Sequence, residues 1–303
     1  MNRPALTVLR AQIASARRGE RTFVMGILNV TPDSFSDGGL HFDPDFNPEI
    51  AVDFAVKMIE DGADLIDIGG ESTRPATFED NAPLSAAEEM RRVLPVLRSL
   101  SKAFPEVPLS IDTYKAEVAK AAVEAGAVLI NDISAFRADP QMASVAAKFG
   151  VPVCLMHLPG LPRSIPAHPT YKDVVREVYD YLQTQAQFAI HAGVAARDIL
   201  VDPGIGFGKT VADNLELMRR QEELLLLGFP VLMGASRKST IGKVLGGLPS
   251  EERVEGTAAT VAIAILKGAT FVRVHDVKAM VRVARMSDAI VRKVLSAECQ
   301  VLR

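Results

Sequence analysis

Eight short apolar runs, each followed by a longer amphipathic segment, limit what this chain can fold into more than any other feature. The runs are Phe23–Val30, Leu65–Gly70, Pro108–Thr113, Ala127–Ile133, Val151–His157, Ile199–Gly204, Pro230–Ser236 and Phe271–Asp276. They are continuously apolar rather than alternating, the pattern of parallel strands covered on both faces. Helical patterns such as Ala86–Phe104, Lys115–Gly126 and Asp173–Gly193 lie between them. Gly126, Gly150, Gly193 and Gly268 stand where a helix end turns left-handed and a Cβ is unwelcome. Eight βα units in 303 residues close into a ring more readily than they spread as an open sheet. The expected fold is therefore α/β, a single (β/α)8 TIM barrel over residues 23–303. Residues 1–22 are read as a short N-terminal extension closing the bottom of the barrel.

Composition narrows the function classes. The formal net charge of −3 offers no basic field for nucleic acid or an anionic membrane. Any anion site must be a local cluster. The two cysteines, Cys154 and Cys299, show no metal-ligand spacing, which favours a reducing compartment. Arg3, Arg10, Arg17, Arg18 and Glu20 interrupt the N-terminal segment, so it lacks the apolar core of a signal peptide. The apolar stretch Ala258–Leu266 stops at Lys267, far short of the roughly 20 residues that span a bilayer. The expected location is the cytoplasm.

Polar residues gather at the C-terminal ends of the strand candidates. In order they are Asn29 and the Thr31-Pro-Asp33-Ser-Phe35 stretch, Glu71-Ser-Thr73-Arg74-Pro75, Asp112, Asn131-Asp132, His157, Asp202, Ser236-Arg-Lys238-Ser239 and Arg273-Val-His275-Asp276. Barrel enzymes build their sites on that face, because the βα loops converge there. A helix cap could explain one such residue, but caps do not explain Arg, Lys and His recurring among Asp and Asn. Arg74, Lys238, Arg273 and His275 supply cationic or donor character, the last three from strands 7 and 8, where barrels commonly hold phosphate. Asp112, Asn131 and Asp202 supply acceptors that suit a flat heterocycle presenting N–H and NH2 groups. The residues therefore point to a nitrogen heterocycle carrying a phosphate or diphosphate.

Two other readings fail. The run from Gly204 to Thr210 imitates a phosphate-binding P-loop, but the pattern needs glycine at 203, where Pro203 stands. It is read as a flexible glycine turn after strand 6, with Phe207 at its tip. The five histidines are scattered and show no zinc-binding spacing.

Taken in order, these motifs resemble the dihydropteroate synthase family. Gly26-Ile-Leu-Asn29-Val-Thr-Pro-Asp33-Ser-Phe35-Ser-Asp37-Gly-Gly39 is similar to its first pterin-binding signature, and Asp67-Ile-Gly-Gly-Glu71-Ser-Thr73-Arg74-Pro75 to its second. Ser110-Ile-Asp112-Thr, Leu129-Ile-Asn131-Asp-Ile133, Asp202-Pro-Gly-Ile-Gly-Phe207-Gly-Lys, Ser236-Arg-Lys238-Ser239 and Arg273-Val-His275-Asp276 follow in the family's order. The resemblance implies condensation of 6-hydroxymethyl-7,8-dihydropterin diphosphate with p-aminobenzoate, a step of folate synthesis. It implies that Asp112, Asn131, Asp202 and Lys238 bond the pterin edges, and that Ile133, Met156 and Phe207 pack on the ring with Arg273 on the opposite face. Asn29, Thr73, Arg74, Arg273 and His275 would hold the diphosphate, with Asn29 also ligating Mg2+. Phe35, Thr73, Arg74, Pro75, Lys238 and Ser239 would form the p-aminobenzoate pocket, where sulfonamides compete. Asp112, Lys238, Arg273 and His275 are then the expected catalytic residues, in an SN1-like reaction with no protein nucleophile. The family also implies a homodimer through the late helices, about Arg253–Leu266 and Val277–Val294.

Three departures stand out: Tyr114 replaces a smaller residue after Asp-Thr, Leu40–Pro48 is long and rich in Asp and Pro, and Ala76 stands where glycine is usual. Rival readings are a pterin-binding methyltransferase domain, which needs no diphosphate cradle, and a non-catalytic pterin-binding paralogue, which should have lost Asp112, Arg273 or His275.

Overall fold

The computed structural model describes residues 3–31, 48–72, 84–162, 164–165 and 169–292. Eight parallel strands alternate with helices. The strands are β1 (Phe23–Asn29), β2 (Leu65–Gly69), β3 (Leu109–Asp112), β4 (Leu129–Asp132), β5 (Val153–Met156), β6 (Ile199–Asp202), β7 (Leu232–Met233) and β8 (Phe271–Val274). They run side by side in sequence order, with β8 between β1 and β7. A parallel bridge between Val201 and Val231 joins β6 to β7 and closes the ring. The expected (β/α)8 barrel is what the chain forms.

The helices among the described residues are α1 (Pro4–Arg17), α2 (Pro48–Glu60), α3 (Ala86–Ala103), α4 (Ala116–Glu124), α5 (Met142–Phe149), α6 (Val174–His191), α7 (Val211–Arg219), α8 (Ser239–Val244), α9 (Val254–Leu266) and α10 (Val277–Val291). Their starts are written in short polar residues. Ser85 accepts from the Glu88 N–H to begin α3, Asp173 caps two N–H groups of α6, and Thr210 with Asp213 forms a reciprocal capping box on α7. Gly150 closes α5 at φ +59°. No described helix is long and apolar enough to cross a membrane.

The barrel interior is layered. Side chains two residues apart on a strand share a face, so inward residues fall into a lower and an upper layer. The lower set is Phe23, Met25, Leu65, Leu129, Cys154, Leu200, Leu232 and Phe271, all buried. It packs against Leu9, Ile13 and Ala16 of α1, which plugs this end. Phe23 and Phe271 stack there at 5.2 Å. Cys154 is a free, buried thiol.

β7 is shorter than the Pro230–Ser236 run suggested. Pro230 has no N–H for the ladder. Beyond Gly234 the chain turns, with Arg237 at φ +55°.

Candidate functional site

The upper inward positions carry the charge. One step above the apolar layer, about 7 Å along each strand, Leu65 gives way to Asp67, Leu129 to Asn131, Leu200 to Asp202 and Phe271 to Arg273. Asp112 lies level with Gly69 and Asn131 in the strand register, and Met156 level with Asp202. Gly234 keeps space open between the Asp202 carboxylate and Arg273, the groups nearest to any Cβ it might carry.

Arg273 is the hub. Its Nε donates to Asp67 Oδ2 at 2.6 Å and its Nη2 to Asp112 Oδ2 at 2.7 Å. Burial works against the guanidinium charge, and the carboxylates of Asp67 and Asp112 more than offset it, so its pKa lies above that of free arginine. One edge of the guanidinium is thereby held, and among the described residues Nη1 takes no hydrogen bond.

Asp67 also accepts from Asn131 Nδ2 at 2.9 Å. A carboxylate only accepts, so this contact assigns the Asn131 amide and leaves its carbonyl oxygen as an acceptor for a ligand. Asp67 is fully buried. Its Oδ1 and the nearby Ser110 Oγ have no partner among the described residues. Asp67 belongs to the second signature-like motif, and the resemblance implies no role for it. The signal that could have found it is a charged residue in the middle of an otherwise apolar strand.

Burial raises the carboxyl pKa of Asp112 above the usual range; Arg273 opposes the shift and Asp67 reinforces it. Asp202 is likewise raised by burial, against the pull of the Gly204 N–H and of Lys238. The Asp202 Oδ1 accepts from Gly204 N at 2.7 Å. Lys238 donates to the Ile205 carbonyl, and its ammonium stands 4.0 Å above the Phe207 ring. Burial lowers its pKa to about 8, with Asp202 resisting.

A small apolar wall faces these groups, formed by Ile133, Met156, Leu158 and Phe207 with Tyr114 and Ile165 packed on it. Ile133 is aimed by Asp132, whose carboxylate gathers the Ser134 N–H, the Ser134 hydroxyl and the Phe136 N–H.

The glycine turn after β6 is not slack, contrary to its reading as flexible. Lys209 donates to the Gly204 carbonyl at 2.9 Å and the Phe207 carbonyl at 3.1 Å within the turn, and meets His157 Nδ1, beyond β5, at 2.9 Å. Tyr171 adds a bond to the Gly208 carbonyl at 2.8 Å. Gly204, at φ +69°, could carry no Cβ, which would lie 2.1 Å from the His157 oxygen. His157 is consequently a support inside the wall: burial, then Lys209, lowers its pKa to about 2.

At the other rim, the Ser236 hydroxyl accepts from the His275 N–H at 3.1 Å and meets His275 Nδ1 at 3.0 Å. Its one proton can then go to Nδ1, which makes Nε2 the protonated nitrogen. Arg237, in its left-handed conformation, pairs with both oxygens of Asp276. The Arg237 carbonyl accepts from Arg253 at 2.8 Å and its N–H donates to Thr257 at 3.1 Å. This lattice sets the start of α8, where Lys238 and Ser239 stand. Asn29 ends β1, beside Gly69. The structure thus gathers Asn29, Asp112, Asn131, Ile133, Met156, Asp202, Phe207, Lys238, Ser239, Arg273 and His275 on one face of the barrel. Phe35, Thr73, Arg74 and Pro75 lie outside the described residues.

Residues 25–275 match the model of a family described as pterin binding enzyme. The dihydropteroate synthase of Clostridium beijerinckii is 51% identical over 276 residues, covering 91% of this chain and 96% of that protein. Among solved structures, Xanthomonas albilineans dihydropteroate synthase with 4-aminobenzoic acid superposes with a TM-score of 0.82 at 45% identity, covering 91% of this chain and 95% of that one. The same enzyme in complex with 7,8-dihydropteroate gives a TM-score of 0.79 at 44% identity, over 91% and 96% of the two chains.

Proposed function

The chain belongs to the pterin binding enzyme family and acts as a dihydropteroate synthase, and from that premise we propose how its own residues carry the reaction. The observation that supports the assignment of roles is the set of acceptor atoms at one level of the mouth. Asp112 and Asp202 each spend one carboxylate oxygen inside the protein, and Asn131 spends its amide nitrogen. What remains is three acceptors for a ring edge rich in N–H and NH2 groups, with Lys238 as the donor for the ring's own acceptors. The pterin ring rests on Ile133, Met156 and Phe207, and the Arg273 guanidinium covers its opposite face.

The reaction breaks the bond between the pterin methylene carbon and the diphosphate oxygen, and forms one from that carbon to the amine nitrogen of p-aminobenzoate. The amine then gives up a proton. Departure leads, because the cation left on the methylene is conjugated with the electron-rich pterin. Arg273 and His275 Nε2–H stabilise the charge developing on the diphosphate, together with Asn29, Thr73 and Arg74. Phe35, Thr73, Arg74, Pro75, Lys238 and Ser239 hold the p-aminobenzoate. The described residues contain no cluster of three or more His, Cys, Asp or Glu fit to hold a metal alone. Mg2+ takes few protein oxygens and completes its shell with water and phosphate. The amide oxygen of Asn29 suits that mode, and the ion would supply neutralising charge to the leaving group. Purified protein given both substrates should release diphosphate, and chelation should suppress it. No release above background, or release indifferent to chelator, would refute the respective reading.

The site is cytoplasmic in this proposal, in keeping with the free thiol of Cys154, and the active form is a homodimer. Support comes from the outer surface of α9 and α10, where Ile263, Leu266, Met286 and Ile290 are all exposed, the last to 68%. One apolar stripe of each helix is already used against the barrel, through Val261, Ile265, Met280 and Val281. A second stripe on adjacent helices suits two-fold pairing. Light scattering should give twice the 32.6 kDa of the chain; the monomer mass at micromolar concentration would end the idea.

A further inference from the structure

Tyr114, read above as one of three departures from the family pattern, touches two regions at once. Its ring packs on the apolar wall of Ile133, Met156, Leu158 and Phe207. Its hydroxyl donates to Glu71 Oε2 at 2.9 Å. The same Glu71 oxygen accepts from Lys115, whose ammonium also pairs with Glu89 and lies 4.6 Å from the Tyr114 ring centre. Glu89 is 1% exposed, so the network is buried at that end and half-buried at Glu71 and Lys115. Lys115 keeps its charge there: burial works to lower its pKa, and Glu89 and Glu71 more than offset it.

Glu71 sits just past the end of β2. Arg92 holds the preceding Gly70 carbonyl at 3.0 Å, and the other Glu71 oxygen accepts from Leu84 N at 3.4 Å. One carboxylate therefore joins the place where the chain leaves β2 to the place where it enters α3. The intervening sequence carries Thr73, Arg74 and Pro75.

We propose that Tyr114 is a positioning residue that couples the two substrate subsites. Its ring forms part of the pterin wall, and its hydroxyl sets Glu71, from which the segment assigned to p-aminobenzoate departs. The inference rests on the dihydropteroate synthase reading for the identity of the two substrates. A tyrosine is needed because the link requires both an aromatic face and a hydroxyl at its far end.

The test is a split between the substrates. Tyr114→Phe keeps the ring and deletes the bond to Glu71. It should raise the KM for p-aminobenzoate about 3- to 10-fold, the scale of one hydrogen bond to a charged group only partly passed on. The pterin dissociation constant, read by calorimetry, should stay within about twofold of wild type. Glu71→Ala removes the acceptor and should also raise the KM for p-aminobenzoate, and adding Tyr114→Phe to it should cost nothing further, because the hydroxyl then has no Glu71 to hold. Tyr114→Ala should weaken pterin binding as well. An unchanged KM in Tyr114→Phe, equal losses for both substrates, or additive single effects would overturn the proposal. Wild-type protein is assayed for diphosphate release alongside. If it is silent, the activity reading fails and the coupling falls with it; if it turns over while the variants show no split, only the coupling fails.

Discussion

The two ends of the barrel interior are built from the same strands and differ in what their inward residues do. At the floor, Leu65, Leu129, Leu200 and Phe271 meet α1 in an apolar layer. One inward step higher, Asp67, Asn131, Asp202 and Arg273 form a charged network, with carboxylates taken out of water and only partly paired. The floor gains from every buried methylene. The mouth holds groups whose burial is unfavourable without a partner, and leaves several of their atoms for a ligand. Stability and recognition are thus separated by about two residues of strand, so the floor can be altered with little effect on what the mouth recognises.

The largest effect should come from removing the hub of the mouth. Arg273→Met leaves Asp67 and Asp112 facing each other in a buried space, which should cost about 3–5 kcal/mol of stability in denaturant unfolding and abolish diphosphate release. Adding Asp67→Asn to that variant should recover part of the stability and none of the activity. No recovery would mean that charge imbalance is not what destabilises the single variant.

At the floor, Leu200→Ala should cost about 2–5 kcal/mol, while kcat/KM below the lowered Tm stays at the wild-type value. A matching loss of catalysis would show that the two layers are mechanically coupled and would break the comparison.

Asp202→Ala removes a ligand acceptor and a buried charge together. Pterin affinity should fall by about 1.5–3 kcal/mol by calorimetry, with the unfolding midpoint unchanged or raised. Wild-type affinity would remove Asp202 from the site.

The smallest effect is a pH dependence. Lys238, brought by burial to about 8 from 10.5, is charged below pH 8. Affinity for a diphosphate-bearing pterin should therefore decline as pH rises through 8, and Lys238→Arg should flatten that limb. The ligand-free protein should respond in the opposite direction. Between pH 8 and 10.5 the unfolded chain keeps a proton that the folded one has released, so this group adds stability as pH rises. An unaltered limb in the Arg variant would assign the titration to another group.

Much of this protein is legible in its sequence. Apolar continuity over six to eight residues, interrupted by capped helices, specifies parallel strands. Their number within the chain length specifies a closed ring. The residue standing at each strand's end is enough to name a heterocycle and an anion as ligands, because the topology of a barrel brings those ends together whatever the loops do. Three-dimensional packing alone decided the supports. Asp67 orients both Arg273 and Asn131 from other strands. Lys209, the lysine of the failed P-loop pattern, ties its own turn to His157. Tyr114 reaches Glu71, 43 residues away. A one-dimensional pattern records which face a residue occupies, since that depends on the local period of the backbone. Which polar atom meets which across the barrel depends on strand register and on side-chain reach between distant segments, and neither leaves a periodic trace in the sequence.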